Sequence, residues 1–410
     1  MRASASPVYY GWFVLAASAV CELLVMGATA YSAGLFVLPL QAEFHISRAS
    51  ANSSVIILYL GASIAAPFIG RLLDRLPIRL VISSGAVILA LAFAGIAATS
   101  SLLVMVLLLL IPASIAFVAL GPLTTQTLTT RWFGRHRGLA LGIAAVATSG
   151  GGFVVVPLLG LAIQHHGWRQ GLLYEGVGVA IVIIALALTV LRSRPSDVGL
   201  EAHPEIQGGA NEAGPVSVSL KEIFRAGAFW IPSLTLAIIS GTSQATVITL
   251  VPYGAQLGFA PAQAALLISG FSIAAAVTKI GAGLLADRIN QRLLLSVAAL
   301  AMMLSWLALL FWAGYPALLA GACLAGIALG CALPTTAGLI AAHFGAKRFG
   351  AVMGWTSAFT GFLAIVAVLF VGSVFDRAHS YVLAFQVFAA LLACLLAATL
   401  IFLRRGAARA

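Results

Sequence analysis

Lys279 lies inside an apolar run, Ala264 to Leu285, that is long enough to cross a bilayer. An ammonium group at such depth costs roughly 2.5–3.5 kcal/mol on insertion scales, so its retention points to an anion that meets it. The competing reading is snorkelling, in which the stem carries the charge to an interface about two turns away. The helical face around Lys279 is small (Ser272, Ala275, Ala276, Gly283), whereas Ile273, Val277, Ile280 and Leu284 form a bulky stripe. Small neighbours leave room for a ligand beside the cation, and they equally permit close helix packing. Glu22, near the middle of the first apolar run, is the second charge of interest. It reads as a proton site, a counter-ion for Lys279 or a protonated structural carboxyl. Glu175, near the outer end of the sixth run, reads as an interfacial residue on a peripheral helix.

The elements that must position these charges are membrane helices. The chain is 62% hydrophobic and 8% charged, against roughly 25% charged in soluble domains. About 20 apolar residues span a bilayer core. Runs of that kind number twelve, from 10–35 through 138–163 and 263–285 to 381–403. A polar Pro/Gly/Glu-rich segment is the only long linker. It divides the chain into a six-helix bundle over 1–192, a cytoplasmic linker over 193–228 and a second bundle over 229–410. With both termini cytoplasmic, Arg48, Arg169 and Arg377 fall outside, Lys279 falls within a span, and the remaining 18 of the 22 Lys and Arg fall inside. That asymmetry follows the positive-inside rule and accounts for the net charge of +11 without nucleic acid. The four cysteines sit in apolar runs with no CxxC pair, which indicates neither zinc nor a disulfide framework, only buried thiols.

The halves repeat one another. Gly70-Arg-Leu-Leu-Asp74-Arg75-Leu-Pro-Ile-Arg79 follows the second span, and Gly283-Leu-Leu-Ala-Asp287-Arg288-Ile-Asn-Gln-Arg292 follows the eighth, 213 residues on. The glycine admits a neighbouring helix. The aspartate can then meet a helix N-terminus and the arginines, forming a latch that must break during a cycle. Asp74, Arg75, Arg79, Asp287, Arg288 and Arg292 are accordingly the gating candidates.

This doubled element resembles the signature of the major facilitator superfamily. Tyr9-Tyr10-Gly11-Trp12, Tyr31-Ser-Ala-Gly-Leu-Phe36, Arg131-Trp-Phe-Gly-Arg-His-Arg-Gly-Leu-Ala-Leu-Gly142 and Gly167-Trp168-Arg169 narrow the likeness. Over essentially the whole chain it resembles the monocarboxylate transporter and oxalate:formate antiporter branch, nearest to bacterial homologues of the animal lactate/pyruvate carriers. The resemblance implies an all-α membrane protein of twelve helices in two pseudo-symmetric six-helix bundles. It implies no enzyme activity and no cofactor. It also places Lys279 where that branch holds a carboxylate with a helix 8 cation, usually arginine. The aspartate that lies four residues before that cation in the animal carriers is replaced here by Ala275. Tyr31 matches a cavity tyrosine of the oxalate:formate branch.

Polar side chains on two further spans extend the candidate substrate contacts to Ser243, Gln244 and Trp355, beside Lys279 and Tyr31. Proton coupling falls to Lys279 or Glu22. The absence of Gly-x-x-x-x-Gly-Lys-Ser/Thr excludes an ATP-driven pump, and Trp355-Thr-Ser-Ala-Phe359 in the eleventh span lacks the second cation that oxalate carriers have there. The expectation is a proton-coupled symporter of short monocarboxylates such as L-lactate or pyruvate, monomeric, in the cell inner (plasma) membrane. The alternatives are an oxalate/formate-type anion exchanger, a non-transporting sensor or a drug exporter.

Overall fold

The computed structural model describes residues 9–46, 48–134, 136–200, 220–259, 261–286, 288–312 and 314–407. Among these, the regular structure is entirely helical, and eleven helices are long and apolar enough to cross a membrane. The span expected over 138–163 is a single helix, Arg137–His166, whose apolar stretches are Arg137–Thr148 and Val154–His166. Apolar sequence alone produces this result. With no water in a hydrocarbon core, each segment must satisfy its backbone internally, and a helix does so.

The first span comprises α1 (Tyr10–Met26), a π turn (Gly27–Tyr31) and α2 (Ala33–Phe44). It therefore runs well past the expected end at residue 35. The second and third spans are α3 (Arg48–Arg75) and α4 (Ile78–Ala98). The fourth is interrupted twice: α5 (Leu102–Leu108), a π turn at Leu109–Ala113, α6 (Ser114–Leu120) and α7 (Pro122–Trp132). Pro112 lacks the N–H that the ladder needs inside the π turn, and Gly121 leaves helical geometry just before Pro122. Then come α8 (Arg137–His166) and α9 (Trp168–Thr189).

A short helix, α10 (Leu220–Arg225), precedes the seventh span, so the segment expected as a linker is partly structured. Its Phe224 packs edge-on against Trp355 at 5.2 Å and Phe229 at 5.6 Å. The remaining spans are α11 (Gly227–Gln256), α12 (Pro261–Ala286), α13 (Gln291–Phe311), α14 (Tyr315–Phe344), α15 (Phe349–Ala378) and α16 (Val382–Ala407).

The helices form two compact units. One holds residues 1–140, 147–216 and 346–354; the other holds 141–146, 217–345 and 355–410. In the first, α4 packs along α9 and α3 lies against α6. In the second, α14 packs with α12 and α13, and α13 with α16. Each unit thus takes a short stretch from the opposite half of the sequence, the start of α15 in one and the start of α8 in the other.

Candidate functional site

Lys279 is buried to 5% exposure on α12. Its place is set by backbone packing on two sides. A Cβ on Gly142 of α8 would sit 2.5 Å from the Lys279 carbonyl oxygen and 3.2 Å from the Cα of Gly283. A Cβ on Gly330 of α14 would sit 2.6 Å from the Ala275 carbonyl oxygen and 3.2 Å from the Lys279 nitrogen. Two glycines therefore let α8 and α14 close on α12 at the level of the cation. The bulky stripe faces the other way: Ile273, Val277, Ile280 and Leu284 are exposed, Val277 to 67%, as suits a surface wetted by lipid.

On the same unit, Ser243 of α11 is buried and its hydroxyl approaches the Met302 sulfur of α13 at 3.7 Å. Gln244, the next residue, is exposed. Trp355 joins an aromatic cluster with Phe224 and Phe359, and its indole Nε1 is buried with no hydrogen-bond partner. The structure thus turns Ser243 toward α13 and gathers Trp355 with the short helix α10.

On the first unit, Glu22 is buried to 1% exposure on α1. One turn earlier, the Ser18 carbonyl accepts the Thr125 hydroxyl of α7 at 3.3 Å, which fixes α1 against the broken fourth span. Tyr31, at the end of the π turn, donates its hydroxyl to the Thr148 carbonyl of α8 at 2.9 Å and keeps 43% exposure. The residues of α7 are unusually polar for a buried helix. Thr124, Thr127, Thr129 and Thr130 each bond a carbonyl near them in sequence, while Gln126 Oε1 is buried without a partner. Glu175 is only 9% exposed on α9, which packs along α4, and neither of its carboxyl oxygens has a hydrogen-bond partner.

The first latch is formed. Asp74 Oδ1 accepts the Gly350 N–H at 3.1 Å, and Oδ2 accepts the Ala351 N–H at 2.7 Å, at the start of α15. Gly70 makes room for this: a Cβ there would sit 2.1 Å from the Gly350 carbonyl oxygen. The cation beside Asp74 is Arg131 of α7, at 3.4 Å, whose Nη2 also donates to the Leu73 carbonyl at 2.8 Å. Sequence reading assigned that part to Arg75 and Arg79. Arg75 is exposed, and Arg79 donates instead to the Leu191 carbonyl at 2.7 Å, tying α4 to the end of α9. Arg131 was visible in its motif, but nothing local linked it to an aspartate 57 residues earlier. In the second copy Arg288 is exposed and Arg292 half-buried; Asp287 lies outside the described residues. Of the cysteines expected to be buried, Cys394 is exposed on α16 and Cys323 is only part-buried on α14.

The family model described as Major Facilitator Superfamily matches residues 18–259 and 233–410. Human monocarboxylate transporter 11 is 29% identical over 281 residues, 68% of this chain and 57% of its own length. The uncharacterized MFS-type transporter YcxA of Bacillus subtilis is 28% identical over 184 residues, 45% of each chain. The oxalate:formate antiporter of Oxalobacter formigenes is 22% identical over 262 residues, 64% of this chain and 59% of its own. The chain thus spans 45% to 59% of the length of these relatives. Among solved structures, the human organic anion transporter MFSD10 (TETRAN) superposes with a TM-score of 0.73 at 16% identity, covering 96% of this chain and all of that one. The E. coli fucose:proton symporter FucP superposes with a TM-score of 0.70 at 16% identity, covering 95% and 98%.

Proposed function

The chain belongs to the Major Facilitator Superfamily and is a multi-pass membrane transporter rather than an enzyme, and from that premise we propose that it carries short monocarboxylates together with protons. The single observation that carries this reading is Lys279, buried on α12 between the glycine contacts of α8 and α14. One buried cation balances one carboxylate. A dianion such as oxalate would leave a charge uncompensated in low dielectric, at a cost of several kcal/mol. The resemblance to monocarboxylate transporter 11 supports the same cargo class.

In this reading the two sequence halves, 1–192 and 229–410, are the bodies that move, joined by the 193–228 segment. Both termini face the cytoplasm of the inner membrane, and the carrier works as a monomer. The neutral Lys279 amine accepts a proton as the carboxylate arrives, and the ammonium releases it when the anion leaves. A charged ammonium in a dry site is costly, so in this reading the empty carrier crosses with the Lys279 amine neutral. Tyr31, Gln244 and Trp355 are the accompanying contacts, and the Asp74 latch sets which face is open.

Uptake of labelled lactate and pyruvate into proteoliposomes is the direct test. Lys279→Gln should abolish uptake while insertion is unchanged, and Lys279→Arg should keep part of it with an altered pH profile. Robust oxalate exchange without lactate uptake would transfer the chain to the exchanger class. Near-normal uptake by Lys279→Gln would reduce Lys279 to a packing residue.

A further inference from the structure

Asp376 lies in the last turn of α15, two residues before the helix ends at Ala378. A helix C-terminus carries partial negative charge and disfavours a carboxylate, so this position gains from any cation that comes to it. Asp376 is exposed, and among the described residues no hydrogen bond or ion pair engages its carboxylate. Arg377 and His379 follow it in sequence, yet neither lines the cavity that Asp376 lines.

That cavity is half-open and belongs to the second unit. Its volume of about 480 Å³ falls within the roughly 300–1,000 Å³ range of small-molecule sites. Its walls come from α11 (Ile248, Pro252), from α15 (Leu369, Phe375) and from Tyr381 just before α16. Two wall hydroxyls are satisfied locally: Thr249 donates to the Ala245 carbonyl at 2.7 Å, and Ser373 to the Phe370 carbonyl at 2.9 Å. What remains for a ligand is an apolar surface, one carboxylate and the Tyr381 hydroxyl.

Tyr381 is fixed by its neighbours. Its buried ring stacks on Phe375 at 4.5 Å and on Phe385 at 6.0 Å, with Tyr253 edge-on at 6.0 Å. Tyr253 is tied in turn, donating its hydroxyl to the Leu309 carbonyl at 3.3 Å. Among the described residues no protein group bonds the Tyr381 hydroxyl. Burial, and after it the Asp376 carboxylate, pushes the pKa of that hydroxyl above the ordinary tyrosine value, so it stays protonated within the field of the carboxylate. Both groups offer oxygen to a ligand. Among the described residues no cationic side chain lines the cavity, so an anion finds no partner in it. Two oxygen-bearing side chains are too few for calcium, which takes about six to eight oxygens. The apolar walls suit instead an organic body that carries the positive charge.

We propose that this cavity binds an organic ammonium, a primary or secondary amine whose N–H groups meet the Asp376 carboxylate and the Tyr381 hydroxyl while its apolar body lies against Ile248, Leu369 and Phe375. The site is built without Lys279 and does not depend on the monocarboxylate reading. The test titrates benzylamine, protonated at neutral pH, into the full chain in an uncharged detergent and follows the heat of binding. Benzyl alcohol, of nearly equal size, is the uncharged counterpart. Hydrogen bonds to an ionised group are the stronger ones, so the native chain should bind benzylamine about tenfold more tightly than the alcohol. Asp376→Asn should erase that difference and leave binding of the alcohol unchanged. Tyr381→Phe keeps the ring stack and should weaken benzylamine about threefold, the effect of one net hydrogen bond. Ile248→Trp fills the space and should weaken both probes, which separates the cavity from partition into the micelle. Equal affinity of the native chain for the two probes would overturn the proposal. A preference for benzylamine that survives in Asp376→Asn, or undiminished binding of both probes to Ile248→Trp, would do the same. If Ile248→Trp does not fold, the Asp376→Asn comparison decides alone. Lys279→Gln should bind benzylamine as the native chain does, so failure of lactate uptake would leave this site standing.

Discussion

A methyl group at Gly142 would sit 2.5 Å from the Lys279 carbonyl oxygen, and one at Gly281, a residue of the same helix as Lys279, would meet nothing within 4 Å. The contrast isolates what holds the cation in place. Gly142→Ala must push α8 away from α12, and overpacking of this kind costs about 1–3 kcal/mol. Gly281→Ala meets no such obstacle and restores helix propensity worth about 0.5–1 kcal/mol. The expected outcome is a lower unfolding temperature and weakened lactate uptake for Gly142→Ala, with Gly281→Ala unchanged or slightly more stable. Thermal melting in detergent and proteoliposome uptake check the two halves of that statement. If both glycines tolerate alanine equally, backbone approach is not what positions Lys279. The residue itself was legible in the sequence because a lone ammonium in an apolar run is costly. Its glycine neighbours were not, since Gly142 and Gly330 lie far from it along the chain and only the folded packing brings them to it.

At the scale of helices, hydropathy located the spans but not their internal breaks. The run that ends near residue 35 by apolar content continues to Phe44, because α2 carries Gln41 and Glu43 on a helix whose end reaches Arg169 at the start of α9. The fourth span reads as one continuous helix, yet it breaks at Leu109–Ala113 and again at Gly121. Proline and glycine marked those places, although whether either bends a buried helix depends on what packs beside it. The latch shows the same division. Its glycine and aspartate were readable from the repeat. Arg131 as the cation was not, since the pairing joins α3 to α7. Asp74 also accepts two N–H groups at the first turn of α15, where a helix favours negative charge. Replacing it with alanine strips the nearly buried Arg131 of its counter-ion, a change that costs about 3–5 kcal/mol in comparable pairs. Asp74→Asn keeps one acceptor for the α15 backbone and should lose less. Unfolding temperatures in the order native, Asp74→Asn, Asp74→Ala are expected; equal values for the two variants would mean that the charge contributes little to holding α15.

For the molecule as a whole, the latch and the buried charges have to be coupled if transport is coupled. On the proposed six-plus-six arrangement the two halves are the moving parts, so a group that links them energetically should alter the balance of states rather than the affinity within each. Asp74→Asn should therefore change the relative labelling of cysteine probes at the two faces of the membrane, with lactate affinity little affected in whichever state binds it. Unchanged labelling at both faces would remove the latch from the cycle. Proton coupling is the harder matter, because two buried groups could serve it. Glu22 and Lys279 are both almost inaccessible, at 1% and 5% exposure. Lys279 has the advantage that a single group then binds the anion when charged and forbids passage of the charged, empty carrier. Glu22 would need a separate linkage from its own protonation to anion binding. The deciding measurement is lactate-driven acidification of liposomes containing a pH-sensitive dye, made with Glu22→Gln. That substitution preserves size and hydrogen-bonding capacity but cannot titrate. Lys279 as the coupling group requires that acidification persist with the same lactate-to-proton ratio. If Glu22→Gln still exchanges labelled lactate but no longer moves protons, the coupling belongs to Glu22 and Lys279 serves the anion alone.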